Sequence, residues 1–388
     1  MNSSAFWVRA RKIHETSIVV DAHLDVPLRL RERYSDLGLR GATPHFDIPR
    51  AREGGLTAAF FAILAKADFV AAGEAVREAI EVIDLVEQVV AGYPADLEAA
   101  TSVADICCIK RTSKIAVLTG LEGGHAIEDS LDALREFYRL GVRYMTLTHF
   151  NSNPWADSSG RFYLPDFDVR EARVHGGLTV FGRAVVQEMN RLGMMVDISH
   201  TSDETVEDVL AVSHAPIFAS HSSCRALSDA PRNLSDDQIR RIGDGGGVIM
   251  INFSSYFLDQ KIKDAGDGDI QKNRPEYEQI KRRFAHDPKQ RDAAVEKFFE
   301  GLPAYRAHWT RVIDHIEHVI KVAGPDAVGL GTDFDGVTDL PEGLEDVSQL
   351  PKITAELLRR GHSEEMVTKV LGENFLKFFA RVEKTRAT

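Results

Sequence analysis

Residues 194–221, MMVDISHTSDETVEDVLAVSHAPIFASH, contain a repeating unit that predicts the fold. The apolar stretch 194–200 is followed by a segment of helical period at 203–212 and by a second apolar stretch at 217–221. A strand, a helix and a strand in this order form the unit from which parallel sheets are built. Both apolar stretches end in a histidine, so His200 and His221 are expected at the same edge of that sheet.

The same alternation extends along most of the chain. Eight apolar stretches, each followed by a helical segment or by enough chain for one, lie at 18–26, 57–64, 115–120, 144–149, 194–200, 217–221, 248–253 and 327–333. Nearly continuous apolar runs are typical of parallel strands that are buried on both faces. Eight such units predict an α/β fold, a closed (β/α)8 TIM barrel. An open, doubly wound sheet is the alternative that counting strands does not exclude.

The 388 residues are expected to form a single barrel domain over 1–388 with two additions. The segment 254–300 is polar and heavily charged, which indicates a solvated insertion after the seventh strand. Its acidic cluster at 264–269 lacks the spacing of a calcium-binding loop. The segment from 351 to about 383 has a pattern typical of two or three helices that close the barrel.

Composition indicates an ordinary globular protein and argues against a nucleic-acid binder. The chain has 44% apolar and 27% charged residues, and 47 Lys and Arg against 59 Asp and Glu give a net charge of −12. Phosphate binding draws on clustered basic residues, which do not stand out here. Three cysteines, Cys107, Cys108 and Cys224, are too few for a disulfide framework and are expected to be reduced.

The sequence also leads to an expectation about location. Residues 1–15 contain three basic side chains and no apolar run of seven residues, unlike a secretory signal. No stretch approaches 18 uninterrupted apolar residues, and the polar residues 381–388 do not resemble a lipid-anchor signal. We therefore expect a cytoplasmic enzyme without a membrane partner.

The first predicted strand carries two metal-ligand residue types. His23 and Asp25 are separated by two positions, so they point to the same side of an extended strand. Imidazole and carboxylate groups both suit zinc. This spacing alone is common, and it is weak evidence for a metal site.

Polar residues at the ends of the other strands strengthen that evidence. They are Glu122 and His125 after the third stretch, His149 after the fourth, Asp197 and His200 after the fifth, His221 after the sixth, and Asp333 and Asp335 after the eighth. In a parallel barrel these ends form one rim around one pocket. A buried histidine whose ring nitrogens are hydrogen-bonded, without any function, would explain any one of these positions. That explanation would have to apply separately at His23, His149, His200 and His221. A shared site explains them together.

Other motifs favour structural roles or are missing. His315 and His318 lie on a predicted outer helix, away from the rim, and His125 is expected to support the site rather than to bind metal. The sequence has no P-loop, no dinucleotide-binding fingerprint and no G-x-S-x-G nucleophile elbow.

With these residues assembled, the chain resembles the membrane (renal) dipeptidase family, peptidase family M19. Its members are dinuclear zinc dipeptidases on a metal-dependent hydrolase barrel. The resemblance extends from about Ile18 to about Leu376 and rests on Asp21-Ala-His-Leu-Asp25, Leu121-Glu-Gly-Gly-His125, Leu147-Thr-His149, Asp197-Ile-Ser-His200, Ser220-His-Ser222, Arg232-Asn233, Gly331-Thr-Asp-Phe-Asp-Gly336 and Leu340-Pro-Glu-Gly-Leu-Glu-Asp346.

The resemblance implies that each chain binds two Zn²⁺ ions, and it implies which residues bind each ion. His23 and Asp25 would bind the first ion, Glu122 would bridge the two, and His200 and His221 would bind the second. In such sites a hydroxide shared by the two ions attacks the amide carbon.

The resemblance also assigns the remaining roles. His149 would stabilise the oxyanion, Asp333 would pass the proton to the leaving amine, and Arg232 would hold the substrate carboxylate. A surface role for Arg232 is the alternative. Tyr256 is expected to line the substrate pocket, and Asp335 is expected to support its loop.

The function implied is a zinc-dependent dipeptidase that also accepts dipeptides with a C-terminal D-residue. One alternative is a barrel hydrolase acting on a cyclic amide, a lactone or a β-lactam. Another is a barrel that binds metal or carboxylate without catalysis. A homodimer is expected because two-fold assemblies are common. The preferred side chains and the metal used in the cell do not follow from the sequence.

Overall fold

The computed structural model describes residues 3–42, 44–66, 72–161, 164–165 and 173–386. Eight parallel strands form a closed barrel: β1 Val20–Leu24, β2 Ala58–Leu64, β4 Ile115–Glu122, β5 Val142–Thr146, β6 Met195–Asp197, β7 Phe218–Ala219, β8 Val248–Ile251 and β9 Val328–Leu330. The barrel closes because β2 pairs with both β1 and β4, while β1 also pairs with β9. A short additional strand, β3 (Leu97–Ala99), pairs with the beginning of β4. The predicted TIM barrel is confirmed, and the open-sheet alternative is wrong.

Several strands end earlier than the apolar stretches that predicted them. The stretch 194–200 is strand only at Met195–Asp197. The Asp197 carboxylate accepts the backbone N–H of Ser199 at 3.0 Å, and His200 has a left-handed φ of 64°. A side-chain acceptor thus replaces the strand ladder and turns His200 toward the barrel axis.

Helices connect and surround the strands. They are α1 Ser3–Thr16, α2 Val26–Glu32, α3 Ile48–Glu53, α4 Ala75–Gly92, α5 Val103–Lys110, α6 Leu131–Arg139, α7 Val180–Leu192, α8 Asp203–Val212, α9 Asp236–Asp244, α10 Ser255–Leu258, α11 Gln260–Lys272, α12 Arg274–Arg283, α13 Pro288–Glu300, α14 Thr310–Ala323, α15 Pro351–Arg359, α16 Glu364–Thr368 and α17 Asn374–Glu383. Local chemistry starts several of them. The Ser202 side chain accepts the N–H of Thr205 at the start of α8, and Ser235 and Gln238 form a capping box on α9. Among the described residues, no helix is both long and apolar enough to cross a membrane.

The charged segment after β8 is helical. It forms the four helices α10 to α13, and α11 buries none of its residues. Tyr277 of α12 packs on Phe298 and Phe299 of α13, with ring centroids 5.7 and 6.3 Å away. The segment 351–383 contains α15, α16, a π-helical turn at Lys369–Glu373 and α17.

The core has two layers. An outer cluster lies between the strands and the surrounding helices. The inner cluster fills the barrel and is closed at one end by Phe375, Phe378 and Phe379 of α17. Because apolar rings fill that end, the polar rim at the carboxyl ends of the strands is left as the place for chemistry.

Candidate metal centre and active site

Glu122, the last residue of β4, lies at the centre of the polar rim. Its Oε1 is 3.2 Å from His200 Nε2 and 3.4 Å from His221 Nε2. Its Oε2 is 3.5 Å from His23 Nε2, which is also 3.5 Å from Asp25 Oδ2. All five side chains predicted as metal ligands are therefore brought together, and all five are buried. They come from the ends of β1, β4, β6 and β7.

Three groups of possible donor atoms overlap in this cluster. They are His23, Glu122 and His221; Glu122, His149 and His200; and His23, Asp25 and Asp333. Glu122 and His23 each belong to two of these groups. A carboxylate with one oxygen toward each of two neighbouring groups has the geometry of a bridging ligand.

The polar atoms of the cluster fit a metal better than they fit one another. His23 Nε2 is buried and has no hydrogen-bond partner among the described residues. His200 Nε2 and His221 Nε2 are 2.9 Å apart, both aimed at Glu122, and burial holds the pKa of both rings well below the usual value. Converging imidazole nitrogens and carboxylate oxygens are the donor set that zinc prefers.

The Asp25 and Glu122 carboxylates of the cluster lie close enough to repel each other. Burial and the nearby Glu122 raise the pKa of Asp25 to about 8. Although burial opposes ionisation of Glu122 as well, His23, His149 and hydrogen bonds from His200 and His221 hold its pKa well below the usual value. A divalent cation would relieve the repulsion between Asp25 and Glu122.

Hydroxyl groups hold two of the histidines from behind. His221 Nδ1 is 2.6 Å from Ser220 Oγ, which donates to Asp197 Oδ2 at 2.7 Å. His23 Nδ1 is 2.8 Å from the hydroxyl of Tyr144. Through Ser220, Asp197 thus supports His221, whereas sequence reasoning did not single out Tyr144.

Asp333 is held at the rim by its backbone and by Asn252. It has a left-handed φ of 63°, its N–H donates to His23 O at 3.1 Å, and its Oδ2 accepts Asn252 Nδ2 at 2.8 Å. A Cβ at Gly336 would lie 2.4 Å from Asp333 Oδ1 and 2.2 Å from Asp25 Oδ2. Gly336 therefore leaves room for the two carboxylates, and neither it nor Asn252 was assigned a role from the sequence.

His149 is the most exposed of the clustered histidines. Its side chain is 23% exposed, and its Nε2 is 3.8 Å from Glu122 Oε1. Burial lowers the pKa of His149 to about 4, so the ring is neutral near pH 7. This position gives His149 access both to the cluster and to the solvent-facing side of the rim.

Arg232 is buried beside the cluster, so the surface role considered for it is wrong. Its side chain donates to His221 O at 2.7 Å, and its guanidinium lies 4.6 Å from the ring centroid of Phe257. Within the part of the chain that the structure describes, its buried Nε has no hydrogen-bond partner. The guanidinium thus keeps a donor for an anionic group.

Tyr256 points its hydroxyl into the inserted helices. The hydroxyl donates to Asp267 Oδ1 of α11 at 2.7 Å, while the adjacent Phe257 contacts Arg232. Lining of the substrate pocket by Tyr256 stays a prediction, and Phe257 is the neighbour that sequence reasoning missed.

The remaining candidates have structural partners. His125 Nε2 is 2.6 Å from Ala65 O, His315 bonds to Cys224 N and Leu258 O, and Asp335 accepts Arg29 Nε at 2.8 Å. These contacts agree with the supporting roles expected for all three.

Comparison with known proteins identifies a family for this chain. Residues 8–388 match the family model described as membrane dipeptidase (peptidase family M19). Dipeptidase 3 of Mus musculus is 36% identical over 378 residues, which cover 95% of this chain but 65% of the length of that relative.

Two solved structures are similar over their whole length. The probable dipeptidase PvdM of Pseudomonas aeruginosa is 27% identical with a TM-score of 0.83, and the match covers 98% of this chain and 99% of that one. A metallo peptidase of Rhodobacter sphaeroides, liganded with a phosphinate mimic of the dipeptide L-Ala-D-Ala, is 27% identical with a TM-score of 0.74, covering 94% and 99%. Because the family model matches nearly the whole length of the chain, the chain belongs to the membrane dipeptidase family, peptidase family M19.

Proposed function

We propose that this protein is a zinc-dependent dipeptidase that hydrolyses the single amide bond of short dipeptides. The observation that carries the proposal is the position of Glu122, whose two oxygens face different histidines within 3.5 Å. Membership of the dipeptidase family supports the same activity. Because the chain spans about two thirds of the length of its mouse relative, the activity is proposed for the barrel described here.

The proposal includes two zinc ions per chain. His23 and Asp25 would hold one, His200 and His221 the other, and Glu122 would bridge them. When bound, the ions would supply positive charge that lowers the pKa of water and polarises the scissile carbonyl.

Three further side chains perform the remaining steps. Asp333 has one oxygen occupied by Asn252, so Oδ1 is the atom that accepts a proton and returns it to the leaving amine. His149 is a neutral imidazole and donates an N–H to the developing oxyanion. Arg232 presents its unpartnered Nε to the C-terminal carboxylate of the substrate.

The proposed substrates are dipeptides with a free C-terminal carboxylate, including those with a D-residue in that position. A buried arginine favours the free acid over an amide because an uncharged amide leaves the guanidinium unpaired. The phosphinate mimic of L-Ala-D-Ala bound by the Rhodobacter sphaeroides relative supports tolerance of the D-residue.

Hydrolysis of L-Ala-D-Ala, L-Ala-L-Ala and an N-blocked analogue, measured before and after chelation and zinc add-back, tests this function. We expect zinc to restore cleavage of the free dipeptides. Two bound ions per chain without cleavage of any dipeptide would contradict it. The assay would then turn to cyclic amides, lactones and β-lactams.

The sequence also predicts a homodimer and a cytoplasmic location. Light scattering tests the first, and cell fractionation tests the second. The proposed active site requires neither the dimer nor this location, because all of the residues proposed for the site come from one chain.

A further inference from the structure

Tyr144 connects the apolar interior of the barrel to the metal centre. It lies on β5, is fully buried, and packs among rings of the inner cluster, with centroids 5.3 Å from Phe60 and 5.4 Å from Phe218. Its hydroxyl end reaches out of this apolar cluster to His23. Burying a hydroxyl in such a place is unfavourable unless it forms hydrogen bonds, so the contacts of this hydroxyl stabilise its position.

The neighbouring strand makes room for this ring. Gly120 of β4 is paired with Tyr144, and a Cβ at Gly120 would lie 1.9 Å from Tyr144 Cζ. Gly120 is not among the glycines with a positive φ, so its backbone does not require glycine. The missing side chain at position 120 therefore serves the tyrosine ring, which fixes where the hydroxyl lies.

The contacts of the hydroxyl determine which nitrogen of His23 carries a proton. Ala22 O lies 3.3 Å from the hydroxyl and can only accept, whereas His23 Nδ1, at 2.8 Å, can donate or accept. Both contacts are satisfied only when the hydroxyl donates its single hydrogen to Ala22 O and accepts from His23 Nδ1. Nδ1 then carries the hydrogen, and the Nε2 lone pair is left facing Glu122 and Asp25, each 3.5 Å away.

From this geometry we infer that Tyr144 is a positioning residue, which fixes the tautomer and the direction of the His23 ring for metal binding, and that Gly120 is required to place it. The inference rests on the metal centre of the proposed function. Partners on the second nitrogen of a metal-binding histidine commonly change metal affinity by about 10- to 100-fold.

His221 provides an internal comparison. Its ring stacks on His23 with centroids 3.8 Å apart, and its Nδ1 is also held by a hydroxyl, that of Ser220. The partner of Ser220 is the Asp197 carboxylate, whereas that of Tyr144 is the backbone carbonyl of Ala22. In both stacked histidines, a hydroxyl group therefore holds Nδ1, although the hydroxyl comes from a different type of residue in each case.

The test is a zinc titration of the metal-free, full-length protein against a chelating indicator. Tyr144→Phe removes one oxygen and keeps the buried ring, so we expect one of the two zinc ions to bind about 10- to 100-fold more weakly, with the other unchanged. Gly120→Ala displaces the ring and is expected to weaken zinc in the same way. Tyr93→Phe is the matched control, because its hydroxyl bonds to Asp36 and Leu37, and it should bind zinc as the wild type does.

The outcomes separate this inference from the proposed function. Wild-type protein that binds no zinc would overturn both, whereas Tyr144→Phe with wild-type affinity at both positions would overturn only the role of Tyr144. Should that variant not fold, long-range proton–nitrogen NMR of zinc-loaded wild type labelled at histidine decides. His23, assigned from the spectrum of His23→Gln, is expected to bind zinc through Nε2 and to carry its hydrogen on Nδ1, and zinc bound to Nδ1 would refute the inference.

Discussion

The side-chain amide of Asn252 donates to Oδ2 of Asp333 at 2.8 Å. One oxygen of Asp333 is thereby engaged, and the other, Oδ1, faces the side of the rim where Gly336 and Asp25 lie. This arrangement distinguishes the two oxygens of the Asp333 carboxylate.

Asp333→Asn is therefore expected to lower kcat by about 10²- to 10⁴-fold, the usual contribution of a general acid or base. Zinc content should stay at the wild-type value, because the proposed role of Asp333 is proton transfer. Asp335→Asn is the control, since that carboxylate is occupied by Arg29 and by His45 N. Loss of one zinc ion in Asp333→Asn would show instead that Asp333 is a ligand.

Arg232→Lys tests recognition of the substrate carboxylate. A lysine lacks the planar fork and cannot stack on Phe257 in the same way, so kcat/KM for a free dipeptide should fall by at least about 30-fold, or roughly 2 kcal/mol. The C-terminal dipeptide amide should be affected much less. Arg225 lies in the same loop as Arg232 and pairs with Asp203. Arg225→Lys should therefore leave the preference for the acid over the amide unchanged. Equal losses on acid and amide would refute the role.

Gly336→Ala tests the close approach of the two carboxylates. The new Cβ would lie 2.2 Å from Asp25 Oδ2 and 2.4 Å from Asp333 Oδ1, so at least one carboxylate must move. We expect lower zinc occupancy and lower kcat, with an overpacking cost of about 1–3 kcal/mol in the free energy of unfolding. Gly268→Ala adds the same methyl group in open space on α11 and should change neither zinc occupancy nor kcat. Normal zinc occupancy and kcat in Gly336→Ala would contradict the close packing.

Acid sensitivity should arise partly at the barrel end opposite the metal centre. Burial lowers the pKa of His14 from 6.5 to about 4, while its ring bonds to Gly54 O and Thr354 Oγ1. Below pH 6.5 the unfolded chain binds a proton that the folded ring does not, so stability falls as the pH falls from 6.5 to 4. The shift corresponds to roughly 3 kcal/mol.

Urea unfolding of metal-free wild type and His14→Gln at pH 7, 5.5 and 4.5 checks this expectation. The glutamine variant should be less stable at pH 7 but should lose less stability on acidification. Parallel losses in the two proteins would mean that His14 does not titrate as described.

The fold and the clustering of the candidate ligands could be predicted because strand periodicity and barrel closure determine them. Alternation of apolar strands with helical segments predicted the barrel, and a parallel barrel collects strand ends at one rim. That is why His23 and Glu122, which are 99 positions apart in sequence, were expected together. The roles of the clustered residues stay predictions until metal and activity are measured.

Other features depend on contacts that one sequence does not specify. Tyr144 lies inside a strand, where a tyrosine is ordinarily read as core, and its contact with His23 exists only across the closed barrel. The helical nature of the inserted segment was missed because α11 buries no residues and so has no apolar stripe for periodicity to detect. Its start depends instead on Asp259, which accepts Lys261 N.

The aromatic side chains of α17 have a consequence for the time at which the protein becomes complete during synthesis. Phe375, Phe378 and Phe379 fill the barrel end, yet they follow every strand along the chain. When β9 has just emerged from the ribosome, all of the strands are available, but the residues that close the cavity beneath them are not. The rim, with Asp333 and its neighbours, is therefore expected to acquire its final geometry only after the segment 374–383 has emerged, which makes assembly of the centre a late, post-strand event in folding.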